Sequence, residues 1–295
     1  AQILSVDEHG NLDLQKIRES IDDETSLVSF TYVNSEMGTI LPVKKIAKIV
    51  SEVRENRLSR SVKMPIYFHL DAAQAAGICD LNVARLGVDL MSISAAKCYG
   101  PKQVGALFVR AGVELKPIVF GGGQEMGLRS GTENVAGAVG FAKALEIAEN
   151  KRKFEVKRLT KIRGDFAKFI VATFPGAQIN GAKKNQSPSI LNASFPELDG
   201  ERAVFALDQQ GIFVSTGSAC AANSGIRSHV LLACGLSDGM VDGSLRISFG
   251  RGFSENDLAK VKPIFVKVLR EQMKFGQETV AQTFRAEKLS RESEV

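Results

Sequence analysis

The sequence predicts an α/β protein with a largely parallel sheet. Three observations predict this class: short β-rich apolar runs recur in the first half, helical patterns separate them, and polar residues follow where the runs end. In sheets of this kind, ligands bind beyond the carboxyl ends of the strands. The length of 295 residues is enough for about two domains.

Four strands and one helix are predicted in the first half. The helix begins at Pro42, since proline is favoured in the first turn and Ile46, Ile49 and Val50 follow on one helical face. The basic segment 54–63 is predicted to be a solvated loop, with a basic contact surface as the alternative. The predicted strands are residues 26–33, 66–70, 88–93 and 104–109.

A second domain is predicted after a charged, Ala-rich helical stretch over residues 133–174. Strands are predicted at 189–195, 213–215 and 245–249, and a final helix at 255–274. We predict a large domain over 1–140, a smaller C-terminal α+β domain over 141–275 and a polar tail over 276–295.

The composition excludes several classes of protein. Hydrophobic residues make up 44% and charged residues 24%, which excludes a disordered or collagen-like chain. The net charge of +5 is spread along the sequence without a basic run interleaved with aromatics, so we expect no nucleic-acid partner. No apolar stretch is long enough to predict a membrane span, and we expect no secretory signal.

The cysteines indicate the redox compartment. Cys79, Cys98, Cys220 and Cys234 show no C-x-x-C spacing, which argues against a structural zinc site, and they are too sparse for a disulfide scaffold. Reduced thiols in the cytoplasm are the better interpretation.

An acid and an amine follow neighbouring predicted strands. Asp71 ends one strand, and Lys97 follows the next. Each alone would be read as a helix cap or a surface charge. Together they are what pyridoxal phosphate needs, because an amine forms its Schiff base and a carboxylate keeps its pyridine nitrogen protonated. We therefore predict a pyridoxal phosphate site at the strand ends.

Three other features carry possible chemistry. The Gly-rich stretch 121–125 matches no nucleotide-binding motif and predicts a close-approach turn, after which Thr132 offers a hydroxyl and a helix N-terminus to an anion. Cys220 lies among small polar residues, as a reactive thiol does, whereas Cys234 lies in apolar sequence. Arg246 lies in a short apolar strand and needs an anion, either an internal ion-pair partner or a substrate carboxylate.

Six segments in order resemble the cysteine desulfurases, an aminotransferase-like family that includes the selenocysteine lyases. The resemblance runs from about Leu4 to Lys274, and a chance match to all six is implausible. The segments are Tyr32–Gly38, His69–Gln74, Ser94–Lys102, GGGQEMGLRSGTEN from Gly121, STGSACAANSG from Ser215 and SLRISFGRG from Ser244.

The resemblance implies fold type I of the pyridoxal phosphate enzymes and a homodimer with its sites at the subunit interface. It also implies a role for each matching residue. Lys97 would hold the cofactor, Asp71 its pyridine nitrogen, Gln74 its phenolic oxygen, Ser94 its phosphate, Thr132 the phosphate of the neighbouring subunit's cofactor, Arg246 the substrate carboxylate, and Cys220 would attack the substrate sulfur.

The implied reaction converts L-cysteine to L-alanine and leaves the sulfur as a persulfide on Cys220. A sulfur-acceptor protein or an iron–sulfur scaffold protein would then take the sulfur. A selenocysteine lyase, with the same cofactor chemistry, is the alternative closest to this reading.

Three departures from the family pattern stand out. Ser35 replaces an Asn that touches cofactor and substrate, so we expect weaker polarisation of the cofactor or a poorer substrate fit. Ala96 replaces a phosphate-binding His, so we expect the loss of one charge-assisted hydrogen bond to the cofactor. Relatives also carry roughly a further quarter of their length before the position of Ala1, with a phosphate-binding turn and a ring-stacking His. On that comparison, either a second polypeptide completes the fold or this is a trimmed or redesigned version with a compromised cofactor site.

Two other classes stay open. A non-catalytic scaffold or partner subunit would explain Ser35 and Ala96 as decay. A Cys–His hydrolase would use Cys220 and His229, although His229 is better explained as a capping or packing residue near the apolar run that follows it.

Overall fold

In a computed structural model, the four strands of the first half form one sheet in chain order. The structure describes residues 1–217 and 227–292, with side chains as far as residue 274. β1 to β3 are parallel and β4 is antiparallel to β3, which confirms the α/β class and the mainly parallel sheet. The strands are β1 Leu27–Thr31, β2 Tyr67–Asp71, β3 Leu90–Ser94 and β4 Gly105–Val109.

By its internal contacts, the chain divides into two units. The first unit comprises Ala1–Leu4, Leu12–Asn34 and Ile40–Glu155; the second comprises Ser5–Asn11, Ser35–Thr39 and Val156–Val295. The long helix α4 contributes residues to both. The domain boundaries drawn from the sequence stay a prediction.

The helices of the first unit begin where the sequence supplies caps or proline. Asp13 and Asn82 accept backbone N–H groups at the starts of α1 and α3, and Pro42 precedes α2. The helices are α1 Leu14–Glu19, α2 Val43–Ser59, α3 Val83–Leu86 and α4 Val135–Thr173, with 3-10 helices at Ala95–Cys98 and Glu125–Gly127.

The prediction of a solvated loop over 54–63 is wrong for its first six residues, because α2 continues to Ser59. Arg57 is buried, and its guanidinium donates to the carbonyl oxygens of Asp22 and Thr25 at 2.5 and 2.8 Å. Those hydrogen bonds offset the cost of burying the charge. The run of charged residues concealed this arrangement from a reading based on apolar spacing.

The core of the first unit lies between the sheet and its helices. Phe68 and Leu70 on β2 are fully buried, in one cluster with Ile46 and Val50 of α2. Since side chains alternate along a strand, His69 and Asp71 lie on the opposite face of β2. Asp71, one of the predicted site residues, lies on that face at the carboxyl end of β2.

The second unit contains an antiparallel sheet in the order β5-β6-β7. β6 is buried along its whole length, and an aromatic cluster packs beside it, in which the Phe174 and Phe195 ring centroids are 5.4 Å apart. The elements are β5 Gln178–Asn180, β6 Ile190–Ser194, α5 Gly200–Asp208, α6 His229–Ala233, α7 Asp238–Asp242, β7 Ser244–Ser248 and α8 Glu255–Glu292.

The sequence predicted β6 and β7 but missed β5, which is only three residues long. The strand expected at 213–215 is wrong: that segment makes a single bridge, between Ser215 and Arg246. Among the described residues, none of the helices combines the length and apolar character needed to cross a membrane.

Candidate active site

Three of the predicted side chains lie at the carboxyl edge of β2 and β3. Asp71 is the last residue of β2 and is in register with Ser92 of β3. Ser94 is the last residue of β3, and the 3-10 helix that carries Lys97 starts at the next position. Because the two strands are parallel, their carboxyl ends share one edge. The fold therefore brings an acid, a hydroxyl and an amine to the same edge of the sheet.

A tight turn determines how Lys97 is presented. Ala95 and Cys98 are buried, while Ala96 and Lys97 are exposed. The backbone N–H of Gly100 donates to the Ala95 carbonyl oxygen at 2.8 Å and closes the turn. A Cβ at Gly100 would lie 3.0 Å from that oxygen, so glycine permits the close approach. The turn thus keeps Ala95 and Cys98 buried and leaves Lys97 exposed.

Asp71 is exposed at the end of its strand. Its Oδ1 accepts the backbone N–H of Ala73 at 2.9 Å, and Gln74 follows, partly buried, in the same turn. On the same strand face, Ser29 Oγ lies 2.9 Å from His69 Nδ1. Burial lowers the pKa of His69, and the nearby Asp71 carboxylate opposes that shift.

The donor set at this edge fits pyridoxal phosphate. An exposed amine can form a Schiff base with its aldehyde, an exposed carboxylate can pair with its pyridinium, and hydroxyl and amide groups can bond its oxygens. Lys97, Asp71, Ser94 and Gln74 supply these groups within the first unit.

The Gly-rich stretch forms the predicted turn. Gly131 N–H donates to the Gln124 side-chain oxygen at 3.0 Å, and Met126 adopts a positive φ of 56°. The side chain that caps α4 is that of Asn134, which accepts Gly137 N–H at 2.9 Å. Thr132 lies exposed two residues before it. Its contact with a neighbouring subunit's cofactor stays a prediction.

Arg246 lies in the middle of β7, in the second unit. It is in register with Asn192 of β6, and its backbone exchanges two hydrogen bonds with Ser215, at 2.6 and 3.1 Å. Arg246 lines a cavity of about 750 Å³ together with Ser215, Thr216 and the exposed ring of Phe213. A guanidinium beside hydroxyl groups is suited to binding a carboxylate.

Cys220 lies outside the described residues. The three cysteines within them, Cys79, Cys98 and Cys234, are buried free thiols. Burial raises the pKa of Cys79 to about 12, so its thiol is protonated and unreactive at neutral pH. His229 is exposed at the start of α6, and the residue that caps this helix is Ser228, not His229.

From the sequence, Glu36 has no predicted role beyond its place in the segment Tyr32–Gly38. The structure shows its carboxylate buried and accepting a hydrogen bond from the Ser228 hydroxyl at 2.5 Å. The two residues are 192 positions apart in sequence, so no local pattern signals the contact.

Comparison with known families identifies the chain. Residues 1–261 match the family model described as aminotransferase class-V. The chain belongs to the class-V aminotransferase family. This class-V chain is 42% identical over 271 residues to the cysteine desulfurase IscS of Clostridium botulinum and 38% identical over 268 residues to cysteine desulfurase IscS 1 of Archaeoglobus fulgidus.

Both alignments cover 91% of the class-V chain but only 66% and 67% of the relatives, so the chain spans about two thirds of their length. A solved NifS-like protein superposes with a TM-score of 0.80 at 33% identity, covering 91% of this chain and 68% of the other. The structure described as SspA in complex with cysteine gives 0.67 at 31% identity, covering 84% and 65%. These matches confirm the resemblance drawn from the sequence and its expected fold.

Proposed function

We propose that this class-V aminotransferase is a pyridoxal phosphate-dependent cysteine desulfurase. The observation that carries the proposal is the shared strand edge at which Asp71, Ser94 and Lys97 lie. The identity to cysteine desulfurases over nine tenths of the chain supports the same reaction. Bound pyridoxal phosphate would supply an electron sink for the carbon that carries the substrate's amino group.

The first unit would hold the cofactor and move the proton. Lys97 would hold the cofactor through a Schiff base, and its amine would move the proton at the substrate Cα. Asp71 would keep the pyridine nitrogen protonated, Gln74 would bond the phenolic oxygen, and Ser94 would bind the phosphate. Thr132 would bind the phosphate of the partner subunit's cofactor.

The second unit would bind and attack the substrate. Arg246 would hold the carboxylate of L-cysteine in a bidentate pair. The Cys220 thiolate would attack the substrate sulfur and form a sulfur–sulfur bond with it. The bond between that sulfur and the substrate Cβ would break, and Cβ would take a proton. The products would be L-alanine and a persulfide on Cys220.

The remaining partners follow from that product. A persulfide has to be passed on, so we propose a sulfur-acceptor protein, such as an iron–sulfur scaffold. A second copy of the chain is proposed because side chains around the Gly-rich stretch are apolar and exposed, among them Ile118, Phe120 and Met126. The free thiols of the described cysteines support a reducing compartment, the cytoplasm.

The test combines product analysis with two variants. The chain, loaded with pyridoxal phosphate and given L-cysteine, is expected to release alanine and to carry one extra sulfur on the Cys220 peptide by mass spectrometry. Lys97→Ala should abolish alanine release, and Cys220→Ser should abolish sulfur transfer. Alanine release by Lys97→Ala at the parent rate would refute the proposal.

A further inference from the structure

Glu36 is a buried carboxylate on a segment of the second unit that is fixed by its backbone. The side chain is 2% exposed. The Met37 carbonyl oxygen accepts a hydrogen bond from the Gln186 side-chain amide at 2.5 Å, and the Gly38 carbonyl oxygen accepts Ser187 N–H at 2.7 Å. The carboxylate therefore has a defined position, and burying it has to be offset by what it binds.

One group that Glu36 binds is the side chain that caps a helix. Ser228 Oγ donates to Glu36 Oε2 at 2.5 Å. The same Ser228 oxygen accepts the backbone N–H of Leu231 at 3.2 Å and so caps α6. Glu36 thus fixes the point at which the chain enters α6.

Gly217 approaches the same carboxylate. Its φ is +102°, and a Cβ at this position would lie 3.3 Å from Glu36 Oε2 and 3.6 Å from the Ser228 Cβ. Glycine therefore suits both the conformation and the close approach. Gly217 and Ser228 flank residues 218–227, the segment of sequence that contains Cys220. The two residues that flank this segment therefore both approach the Glu36 carboxylate.

We propose that Glu36 is a positioning residue for the sulfur-accepting thiol, acting through Gly217 and Ser228. The proposal rests on the proposed function for the role of Cys220. Cys220 follows Gly217 by three positions in the sequence, so a displacement of Gly217 moves the point from which the backbone runs to the thiol. Arg227 supports the second end, since it pairs with Asp242 at 2.7 and 2.8 Å.

Limited trypsin digestion tests the contact without using activity. Cleavage after Arg227 requires Ser228 to leave Glu36, so loss of that hydrogen bond in Glu36→Ala or Ser228→Ala should speed this cut by about threefold or more. Cleavage after the exposed Lys63, in the first unit, is the internal reference. Ser228→Thr keeps a hydroxyl and should cut at the parent rate.

Asn82→Ala is the matched control, because it removes the side-chain cap of α3, another short helix, and lies in the first unit. It should leave the cut after Arg227 unchanged. Circular dichroism checks that each variant folds, and Ser228→Ala decides the question if Glu36→Ala does not fold.

Steady-state kinetics then separates positioning from substrate binding. In Glu36→Ala, kcat for alanine release is expected to fall about fivefold or more while KM for cysteine stays within about twofold, since Arg246 is untouched. Parent rates of cleavage after Arg227 in both alanine variants, or faster cleavage with unchanged kcat, would overturn the proposal. A parent chain that releases no alanine would instead refute the proposed function, and the digestion would still decide whether Glu36 fixes the two ends.

Discussion

Ser29 of β1 and His69 of β2 are paired in register, with Ser29 Oγ 2.9 Å from His69 Nδ1. Burial lowers the pKa of His69 from its ordinary value of 6.5, so the unfolded chain binds this proton more readily than the folded one. The stability that His69 contributes is therefore present above about pH 6.5 and is lost as the pH falls through the lower folded pKa.

We expect His69→Gln to flatten the fall in the free energy of unfolding as the pH drops below about 6.5. Urea denaturation across that range, on parent and variant, measures it. Equal slopes in the two proteins would show that His69 does not contribute to the pH dependence.

Asp89 is a buried carboxylate of the first unit that pairs with two arginines. It is 3% exposed, accepts the Phe68 backbone N–H at 2.7 Å, and pairs with Arg54 and Arg110. Asp89→Ala leaves Arg54 without its buried partner and should lower the free energy of unfolding by about 3 kcal/mol. Chemical denaturation measures the change.

Asp23→Ala is the control for Asp89→Ala, since Asp23 pairs with Arg60 at an exposed position. An exposed pair is screened by water, so stability should hardly change. Equal losses from the two variants would contradict the structural assignment of Asp89.

Gly100 closes the turn that presents Lys97. A Cβ there would lie 3.0 Å from the Ala95 carbonyl oxygen and 3.2 Å from the Ala144 Cβ, so Gly100→Ala should cost about 1–3 kcal/mol of stability and weaken cofactor binding. Gly164→Ala, at a helical position with open space around the added Cβ, should instead gain about 0.5–1 kcal/mol. Thermal unfolding of both variants is the measurement, and a neutral Gly100→Ala would refute the packing argument.

Ala96 is exposed beside Lys97, at the position where the resemblance to cysteine desulfurases implies a phosphate-binding His. Restoring that donor in Ala96→His should tighten pyridoxal phosphate binding about tenfold, because a hydrogen bond to a charged group contributes about 1.5–3 kcal/mol. A titration of cofactor absorbance gives the Kd. Ala96→Phe adds a ring without a donor, and a similar gain in that variant would contradict the explanation.

Elements that depend on neighbouring residues alone could be predicted from the sequence. Apolar runs located β1 to β4, and polar residues at their ends located Asp71 and Lys97. The prediction of a solvated loop over 54–63 failed at Arg57, because the guanidinium binds the carbonyl oxygens of Asp22 and Thr25, more than 30 positions away. Periodicity carries no information about such contacts.

The contact of Glu36 with Ser228 shows the same limit within the site. Glu36 and Ser228 are 192 positions apart in sequence. The family resemblance included Glu36 in a matching segment but implied no role for it. The Ser215–Arg246 bridge was misread as a strand because β-rich composition does not reveal how many backbone pairs form.

The proposed function depends most directly on the amine of Lys97 holding pyridoxal phosphate. Loading the chain with the cofactor, reducing with borohydride to fix the Schiff base, and mapping the modified peptide by mass spectrometry test it directly. A reduced pyridoxyl phosphate adduct is expected on Lys97 of the parent chain, and none is expected in Lys97→Ala. An adduct on another lysine, or no adduct on the parent chain, would contradict it.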